Sequence, residues 1–374
     1  MKIKVIFIQD TLANAGTENS LLHILPYFSD DIEYKVIYLY PQHDLLPKYT
    51  AASIPTLFLD LKGKYDFLKG YSKLKRLFQD EKPNLVVSSL LRSNLLARVV
   101  CKVMRIPLVG TLVSDSYNKD ALNTKGFLAK IKFRFFWSLD RYTSHIPKLY
   151  IANSAAIALT HKSTLGIPLF KSKVIYRGRA VPEKTWKGNS SNETTYNFVS
   201  YGRLIQLKGY KELIAAFYDV QSQLPNCTLT IYGEGNYRSE LEQQIQKLNL
   251  TDKVSLPGIH QKVSEELYNY DCFIFPSWYE GFSGALVEAM LSGIPIIASD
   301  IPMNLEAVKA NETALTFPVK NSKILAEQMI FAIQNPTLVA ELGSNARKVS
   351  TEKFDIKKTA KQYEDLLRSV NADK

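Results

Sequence analysis

The feature that most constrains this chain is a repeated alternation of short apolar, strand-like runs with segments of helical periodicity. The first strand-like runs are KIKVIFIQD, YKVIYLY, PTLFLD, NLVVSSL, PLVGTLV and KLYIAN. Helical patterns near residues 66–80, 91–104, 124–142 and 154–164 separate the later runs. Because parallel neighbours need crossover connections of this length, the pattern predicts a parallel, doubly wound, Rossmann-like sheet.

A polar Ser/Asn-rich stretch at 187–197 interrupts the alternation, which then restarts with FVSYGR, LTIYGEG, VSLPG, CFIFPS, PIIAS and TALTFP. The length of 374 residues also exceeds the ~150 residues typical of one domain. The sequence therefore predicts an α/β protein of two Rossmann-like, doubly wound domains facing across a cleft. The predicted domains are residues 1–180 and 181–354, with a helix at about 355–374 packing back on the first domain.

The charge of the chain is unevenly distributed. Residues 1–187 carry 29 Lys and Arg against 14 Asp and Glu, whereas residues 188–374 carry 18 against 22. The basic half is expected to face a membrane, a lipid phosphate or a nucleic acid, with a solvated lysine-rich surface as the alternative. Three cysteines, an opening apolar run too short for a secretory signal and no run of about 18 apolar residues predict a cytoplasmic protein.

The stretch PSWYEGFSGALVEAM places Glu280 in a turn after an apolar strand, and Glu288 along the helix that follows. Ser283 is suited to the helix N-cap and Gly293 to its C-terminal end. Backbone N–H groups at 282–284 could donate to a polar or anionic ligand, and two carboxylates could accept the hydroxyls of a sugar and a ribose. Acidic residues also favour helix starts for electrostatic reasons, so the pair needs support from other motifs.

A second motif, SYGRLIQLKGY, places Arg203 after a strand and Lys208 just before the next helix. An arginine fork and a lysine point charge can together neutralise a diphosphate. No Asp-x-Asp pair occurs in the sequence to hold a divalent cation against that diphosphate. We therefore expect a metal-independent site, although both cations could be ordinary loop charges.

A weaker signal comes from ANAGTENSLL, where Gly16 opens the first helix after the first strand. A glycine there would let a ligand approach the helix N-terminus closely. The segment is not G-x-G-x-x-G, so the dinucleotide-binding fingerprint is absent. A simple tight turn is the alternative interpretation.

Taken together, the motifs resemble those of retaining GT-B glycosyltransferases of family 4 (glycosyl transferases group 1) of bacterial polysaccharide type, over essentially the whole chain. The matching positions are Glu280 and Glu288 of an E-x7-E motif, and Gly202, Arg203, Lys208 and Gly209 of a G-R-x-x-x-x-K-G motif. The resemblance implies that Glu280 contacts the donor sugar and Glu288 the nucleotide ribose. It also implies that Arg203 and Lys208 hold the donor diphosphate.

The same resemblance implies a set of site residues. The implied donor-binding residues are Gly16, Gly202, Arg203, Lys208, Leu256, Pro257, Gly258, Glu280, Gly281, Phe282, Ser283, Gly284 and Glu288. The implied catalytic residues are Glu280, Lys208, Arg203 and Asp115. The segment 256–258 would frame the nucleobase through backbone contacts, and no residue is assigned to a metal.

The chain departs from the family pattern at three places. Ser114 precedes Asp115 where relatives carry a His-Asp pair, so the orientation of the reacting sugar is open. Ala15 stands where a glycine is usual. Arg177 and Arg179 stand in VIYRGRAVP where relatives read I-x-N-G-V-D. These two cations would meet an acceptor phosphate or an acidic sugar, or form an interdomain salt bridge.

The implied reaction is transfer of a hexose-type unit, with retention, from a UDP- or GDP-sugar to a lipid-linked glycan of a bacterial surface polysaccharide. It would use no cofactor, and the leaving phosphate would take the acceptor's proton. The alternatives are a nucleotide-sugar epimerase or phosphorylase of the same fold, and a non-catalytic nucleotide-sugar-binding protein. A nucleic-acid binder would suit the basic half, but no nucleic-acid-binding module is recognisable there.

The segment KGFLAKIKFRFFWSLDRY, residues 125–142, offers an explanation for the basic half. The helical stripe expected to pack on the sheet consists of Phe127, Leu128, Ile131, Phe135, Leu139 and Tyr142. The residues expected to face an anionic membrane are Phe133, Phe136 and Trp137, with Lys125, Lys130, Lys132, Arg134 and Arg141. This predicts peripheral attachment to the inner face of the plasma membrane, with packing on the second domain or a dimer partner as the alternative.

Overall fold

The computed structural model describes residues 2–63, 66–115, 117, 126–188 and 195–372. Lys125 and most of the polar linker lie outside the described residues. The chain divides into two compact units, each with its own sheet. Unit 1 comprises Met1–Gly178 with Ile356–Lys374, and unit 2 comprises Arg179–Asp355.

Unit 1 contains a seven-stranded sheet. Its strands are β1 (Ile3–Gln9), β2 (Ile32–Tyr38), β3 (Thr56–Phe58), β4 (Leu85–Ser88), β5 (Leu108–Leu112), β6 (Leu149–Ala152) and β7 (Ser172–Val174). Its helices before residue 178 are α1 (Gly16–Ile24), α2 (Leu46–Ala51), α3 (Phe67–Glu81), α4 (Leu91–Met104), α5 (Phe127–Thr143) and α6 (Ala155–Leu165). The strand order is β3-β2-β1-β4-β5-β6-β7, and the pairs are parallel.

Unit 2 contains a six-stranded parallel sheet. Its strands are β8 (Tyr196–Tyr201), β9 (Cys227–Tyr232), β10 (Val254–Ser255), β11 (Cys272–Phe275), β12 (Ile296–Ser299) and β13 (Leu315–Phe317). Its helices are α7 (Tyr210–Gln223), α8 (Arg238–Lys247), α9 (Val263–Glu266), α10 (Gly284–Ser292), α11 (Pro302–Leu305), α12 (Ser322–Gln334) and α13 (Pro336–Lys353). The strand order is β10-β9-β8-β11-β12-β13. The expected pair of doubly wound parallel sheets is confirmed.

The last helix, α14 (Ile356–Ala372), belongs to unit 1. Strand β1 shows how helices cover both faces of that unit's sheet, because alternate side chains of a strand point to opposite faces. Val5 and Phe7 enter a core that α1 and α14 complete, whereas Ile6 and Ile8 enter a second core completed by α3 and α4. Burial on both faces explains the continuous apolar run of the strand.

Helix α5 corrects the prediction of which face is buried. Its apolar stripe is exposed: Phe127 is 78% exposed, Leu128 79%, Ile131 51%, Phe135 62% and Tyr142 78%. Leu139, the sixth residue of that stripe, is half-buried. The aromatic residues expected to face a membrane, Phe133, Phe136 and Trp137, are instead half-buried, whereas Lys132, Arg134 and Arg141 of the same expected set are exposed.

A buried polar network decides which side of α5 packs. Asp140 lies 2.5 Å from Nη1 of Arg98 on α4, and its other carboxylate oxygen accepts from the Tyr117 hydroxyl. A buried charge must keep its partner, so Asp140 turns toward Arg98 and brings its helical neighbours inward. Phe133 meets the Tyr117 ring edge-on at 5.5 Å, and Trp137 Nε1 donates to the carbonyl of Thr164.

Candidate functional site

The sheet order of unit 2 places a switch point between β8 and β11. These strands are neighbours, yet the chain leaves β8 toward β9 on one side and returns through β11 on the other. The crossovers on the two sides therefore diverge and leave a crevice at the carboxyl ends of β8 and β11. Ligands of open α/β sheets bind in such crevices. The loops after these two strands carry the motifs predicted from the sequence.

The loop after β8 contains Gly202, Arg203 and a 3-10 turn that ends at Lys208. Lys208 forms an ion pair with Glu280 from the loop after β11, so the two motifs do meet. The Lys208 ammonium also lies 5.5 Å from the centre of the Phe275 ring. Arg203 is exposed and forms no ion pair with any of the residues that the structure describes.

Contact between the two loops depends on Gly209. Its φ is +70°, and a Cβ at this position would lie 2.1 Å from the carbonyl oxygen of Pro276. Only glycine fits such a position without displacing backbone. The backbone N–H of Trp278 then donates to the Leu207 carbonyl at 2.8 Å. The glycine of the G-R-x-x-x-x-K-G motif thus lets the two loops pack side by side.

Helix α10 begins as the sequence predicts. The Ser283 side chain caps it by accepting from the Leu286 N–H, and Gly293 ends it with φ +80°. Phe282 is buried and packs on the Phe354 ring at 5.4 Å. A Cβ at Gly284 would collide with the guanidinium of Arg179, which covers this end of the helix.

Arg179 explains the surroundings of Glu288. Its Nε lies 2.5 Å from one carboxylate oxygen of Glu288, and the Tyr201 hydroxyl donates to the other at 2.6 Å. Burial first, and the Glu288 carboxylate second, raise the pKa of Tyr201 well above its usual value, so the hydroxyl stays a donor. The contact of Arg179 with Glu288 lies within unit 2. The assignment of Glu288 to a ribose stays a prediction.

The segment 256–258 lies after the edge strand β10. The Leu256 carbonyl accepts from Arg238 Nη2 at 2.6 Å, and Arg238 also pairs with Glu234 at 2.7 Å. Gly258 has φ +87° and accepts from the Gly233 N–H at 2.8 Å. The sequence interpretation named this segment but missed Arg238, which holds it in place.

The remaining predicted site residues, Gly16 and Asp115, lie in unit 1. Gly16 is the first residue of α1, and a Cβ there would lie 3.4 Å from Nη2 of Arg177. One Asp115 carboxylate oxygen accepts from the Tyr117 N–H at 3.1 Å. The assignment of Gly16 and Asp115 to the donor site stays a prediction.

An imidazole that the sequence interpretation missed lies beside Ser114. His161 Nε2 is 3.0 Å from the Ser114 carbonyl, and the ring is buried. Because burial lowers the pKa of His161, the ring is neutral near pH 7 and Nε2 carries the proton. Its position in α6, 47 residues beyond Ser114, gave no local signal in the sequence.

The described helices include none that combines the length and apolarity needed to cross a bilayer. Across the same residues, no three His, Cys, Asp or Glu side chains cluster closely enough to hold a metal ion.

Family models match both units. The model of glycosyl transferases group 1 matches residues 174–349, and that of glycosyltransferase family 4 matches residues 15–180. An uncharacterized glycosyltransferase of Methanocaldococcus jannaschii is 26% identical over 47% of this chain and 50% of its own length. A capsular polysaccharide biosynthesis glycosyltransferase of Staphylococcus aureus is 25% identical over 77% of each chain. The chain spans about half the length of the Methanocaldococcus jannaschii relative, and a smaller share of the length of other relatives that it matches.

A solved structure shares the whole architecture. HepE from Anabaena, solved in complex with UDP-glucose, superposes with a TM-score of 0.83 over 98% of this chain and 100% of its own, at 20% sequence identity. The two doubly wound parallel sheets and this likeness show the GT-B fold. With both family models matching, the chain belongs to the family 4 type of GT-B glycosyltransferases.

Proposed function

We propose that the protein transfers a hexose-type unit, with retention, from a UDP- or GDP-sugar to a lipid-linked glycan in bacterial surface polysaccharide synthesis. The observation that carries the proposal is the meeting of Lys208 and Glu280 at the β8–β11 switch point, beside the exposed Arg203. A cation suits the diphosphate of a nucleotide-sugar, and a carboxylate suits the hydroxyls of its sugar. The complex of HepE with UDP-glucose supports a nucleotide-sugar donor.

Binding of the donor would exchange one pair of partners for another. The diphosphate would attract Lys208 and Arg203, since both carry positive charge and Arg203 has no carboxylate partner among described residues. Glu280 would then be released to accept hydroxyls of the sugar. The ion pair with Lys208 keeps the Glu280 carboxylate at the site until that exchange takes place.

In the reaction itself, the bond between the anomeric carbon and the diphosphate oxygen breaks, and the acceptor oxygen forms a bond on the same face. The acceptor proton passes to the leaving phosphate oxygen. Negative charge on the diphosphate grows in the transition state, so Lys208 and Arg203 stabilise it more than they stabilise the ground state. The N–H groups at the start of α10 contribute in the same direction.

The donor assignment is tested by incubating the full chain with UDP- and GDP-sugars and measuring nucleotide release, with mass spectrometry of lipid-linked products. We expect release with one nucleotide class, dependent on a lipid-linked acceptor and persisting in EDTA. Free sugar or an epimerised donor as the sole product would instead support the epimerase or phosphorylase. Loss of activity in EDTA, restored by Mn²⁺ or Mg²⁺, would contradict metal independence. Binding of UDP without turnover of any donor would favour a non-catalytic protein.

The lipid-linked acceptor is supported by the exposed face of α5. Phe127, Ile131 and Phe135 are exposed there, with the exposed cations Lys132 and Arg134 on the same helix. An apolar groove of about 820 Å³, its open side included, lies between α5, α4 and the start of α3. Exposed apolar side chains among cations suit an anionic bilayer surface, where each cation contributes about 1 kcal/mol. We propose that this face attaches the enzyme to the inner leaflet.

Vesicle co-sedimentation tests the attachment. We expect binding that requires anionic lipid, weakens with salt and falls at least tenfold in the triple variant Phe127→Ser, Ile131→Ser, Phe135→Ser. The matched control is Leu338→Ser, an exposed apolar residue of α13 in unit 2. Binding that the triple variant leaves unchanged would overturn the assignment of this face.

A further inference from the structure

Unit 1 contains a cavity at the edge of its sheet that lies opposite the switch point. The switch point of this sheet is between β1 and β4, because the chain leaves β1 toward β2 and β4 pairs with the other side of β1. Ligands of open α/β sheets bind at the carboxyl ends of the strands. The cavity lies instead at the amino ends of β5 and β6, beside the last turn of α4, and measures about 590 Å³. It is therefore distinct from the crevice of this sheet.

The rim of the cavity is cationic. Lys102 and Arg105 come from the end of α4, and Lys148 is the residue before β6; all three are exposed. Lys102 and Arg105 form no ion pair with any residue that the structure describes. None of the described residues that line the cavity is a carboxylate. A rim of three cations without a carboxylate favours a ligand with more than one negative charge.

The walls between these cations are apolar. They are formed by Ile106, Pro107, Leu108 and Ile146. A site for a small soluble anion is typically built from converging backbone N–H groups. Apolar walls under a cationic rim suit an amphiphile instead, because its charged head meets the cations while its hydrocarbon part meets the walls.

Exposed apolar side chains connect the cavity with the face of α5 that we propose to meet the membrane. Val103, between the first two cations of the rim, is 56% exposed. Tyr142, from the exposed stripe of α5, meets the ring of His145, which lines the cavity, edge-on at 6.2 Å. Phe170 is 83% exposed and precedes Lys171, whose Nζ donates to the His145 carbonyl at 3.1 Å. The cavity thus continues the proposed membrane-facing surface.

We propose that this cavity binds the head group of a lipid that carries a phosphomonoester; the location of that lipid in the inner leaflet rests on the proposed function. A phosphomonoester carries about 1.5 to 2 negative charges at pH 7, which matches three cations better than the single charge of a phosphodiester. The phosphate lies among Lys102, Arg105 and Lys148, and the glycerol and the first acyl carbons lie against the apolar walls. The α5 face then attaches the enzyme to any anionic surface, whereas the cavity selects the lipid.

Calorimetry on the full chain tests the cavity without a membrane. The probes are dihexanoyl phosphatidic acid and dihexanoyl phosphatidylglycerol, both below the concentration at which they form micelles, and glycerol 1-phosphate. We expect the phosphatidic acid to bind at least tenfold more tightly than each of the other two probes. Lys102→Gln should lower that affinity at least fivefold, and it keeps α4 intact because both residues are good helix formers.

Arg105 offers a variant in which loss of binding is separated from loss of folding. Its φ is +55°, a left-handed conformation that glycine adopts more readily. Arg105→Gly should therefore lower the affinity for phosphatidic acid at least tenfold while the Tm stays equal or rises. The matched control is Lys82→Gly at the end of α3, an exposed cation with φ +47° outside the cavity. It removes the same charge and the same backbone strain, and should leave the affinity within about twofold of wild type.

Four outcomes would overturn the proposal. They are equal affinities of wild type and Arg105→Gly, equal losses in Arg105→Gly and Lys82→Gly, phosphatidylglycerol binding as tightly as phosphatidic acid, and glycerol 1-phosphate binding as tightly as the lipid. Vesicle co-sedimentation of the same samples separates the cavity from the proposed attachment. Binding of the short-chain lipid without binding to vesicles rejects the attachment alone. Binding to vesicles without binding of the short-chain lipid rejects the cavity alone.

Discussion

The two units share one topology but differ in the chemistry of their switch points. At the β8–β11 switch point of unit 2, charged side chains meet, with Lys208 on Glu280. At the β1–β4 switch point of unit 1, Gln9 is buried without a described partner, and the next residue, Asp10, pairs with Arg92 at the start of α4 at 3.5 Å. The fold creates a crevice at the same place in both sheets. The side chains at the strand ends distinguish the two crevices: unit 2 has a lysine paired with a glutamate, and unit 1 has an arginine paired with an aspartate beside an unpaired amide.

Two ion pairs, one from each unit, differ in how deeply they are buried. In unit 1, Arg98 is 1% exposed and its pair with Asp140 joins α4 to α5, away from the switch point. In unit 2, Lys208 and Glu280 are only partly buried and stand at the switch point. A pair sealed from water holds helices together, whereas one that water reaches can exchange partners with a ligand. Three substitutions, at Arg98, Lys208 and Glu288, test this difference.

The largest effect is expected on the stability of unit 1. Arg98→Met leaves the Asp140 carboxylate buried without its cation, which should cost about 3–5 kcal/mol in the free energy of unfolding. Urea denaturation followed by circular dichroism measures it. The control Asp365→Ala removes an exposed pair with Lys361 on α14 and should change nothing measurable. A loss no larger for Arg98→Met than for the control would mean that the pair does not hold α5.

A smaller effect, on activity rather than stability, is expected in unit 2. Lys208→Ala should lower turnover by at least ~100-fold, the scale of one transition-state contact, with little change in the Tm because water reaches the site. Steady-state nucleotide release measures it. Lys211→Ala, which removes an exposed lysine at the start of α7, is the matched control. If Lys208→Ala turns over within a few-fold of wild type, Lys208 does not hold the donor diphosphate in the transition state.

The smallest effect concerns Glu288. If Glu288 shares a ribose hydroxyl with Arg179 and Tyr201, Glu288→Gln should weaken nucleotide affinity about tenfold, roughly 1.4 kcal/mol, and leave turnover at saturating donor nearly unchanged. Calorimetry with UDP and with GDP gives the affinity for whichever nucleotide binds. A fall in turnover at unchanged affinity would place Glu288 in the chemical step instead, and no change in either would make its pair with Arg179 purely structural.

Much of the fold follows from local sequence patterns. The helical pattern at 91–104 coincides with α4, and that at 154–164 lies within one residue of α6 at each end. Ser283 and Gly293 mark the ends of α10 as expected from capping chemistry. Such features depend on residues within one or two turns of each other. The sequence contains that information directly.

The buried face of α5 could not be obtained in the same way. A hydrophobic stripe predicts the packed side when apolar burial decides the orientation. Here Asp140 decides it by pairing with Arg98, 42 residues earlier in the sequence, and the apolar stripe is left exposed. A pair between residues this far apart in the sequence leaves no mark in the helical periodicity, so the apolar stripe pointed to the wrong side.

For the candidate site, the sequence by itself determined which residue types stand at the strand ends, because strands and turns have local signals. Only the tertiary structure decided which of them meet. Lys208 pairs with Glu280 across 72 residues and Arg179 with Glu288 across 109, whereas Gln9 has no described partner. Partners are set by the order of strands in the sheet. That order results from the packing of the whole unit, which no local pattern of residues encodes.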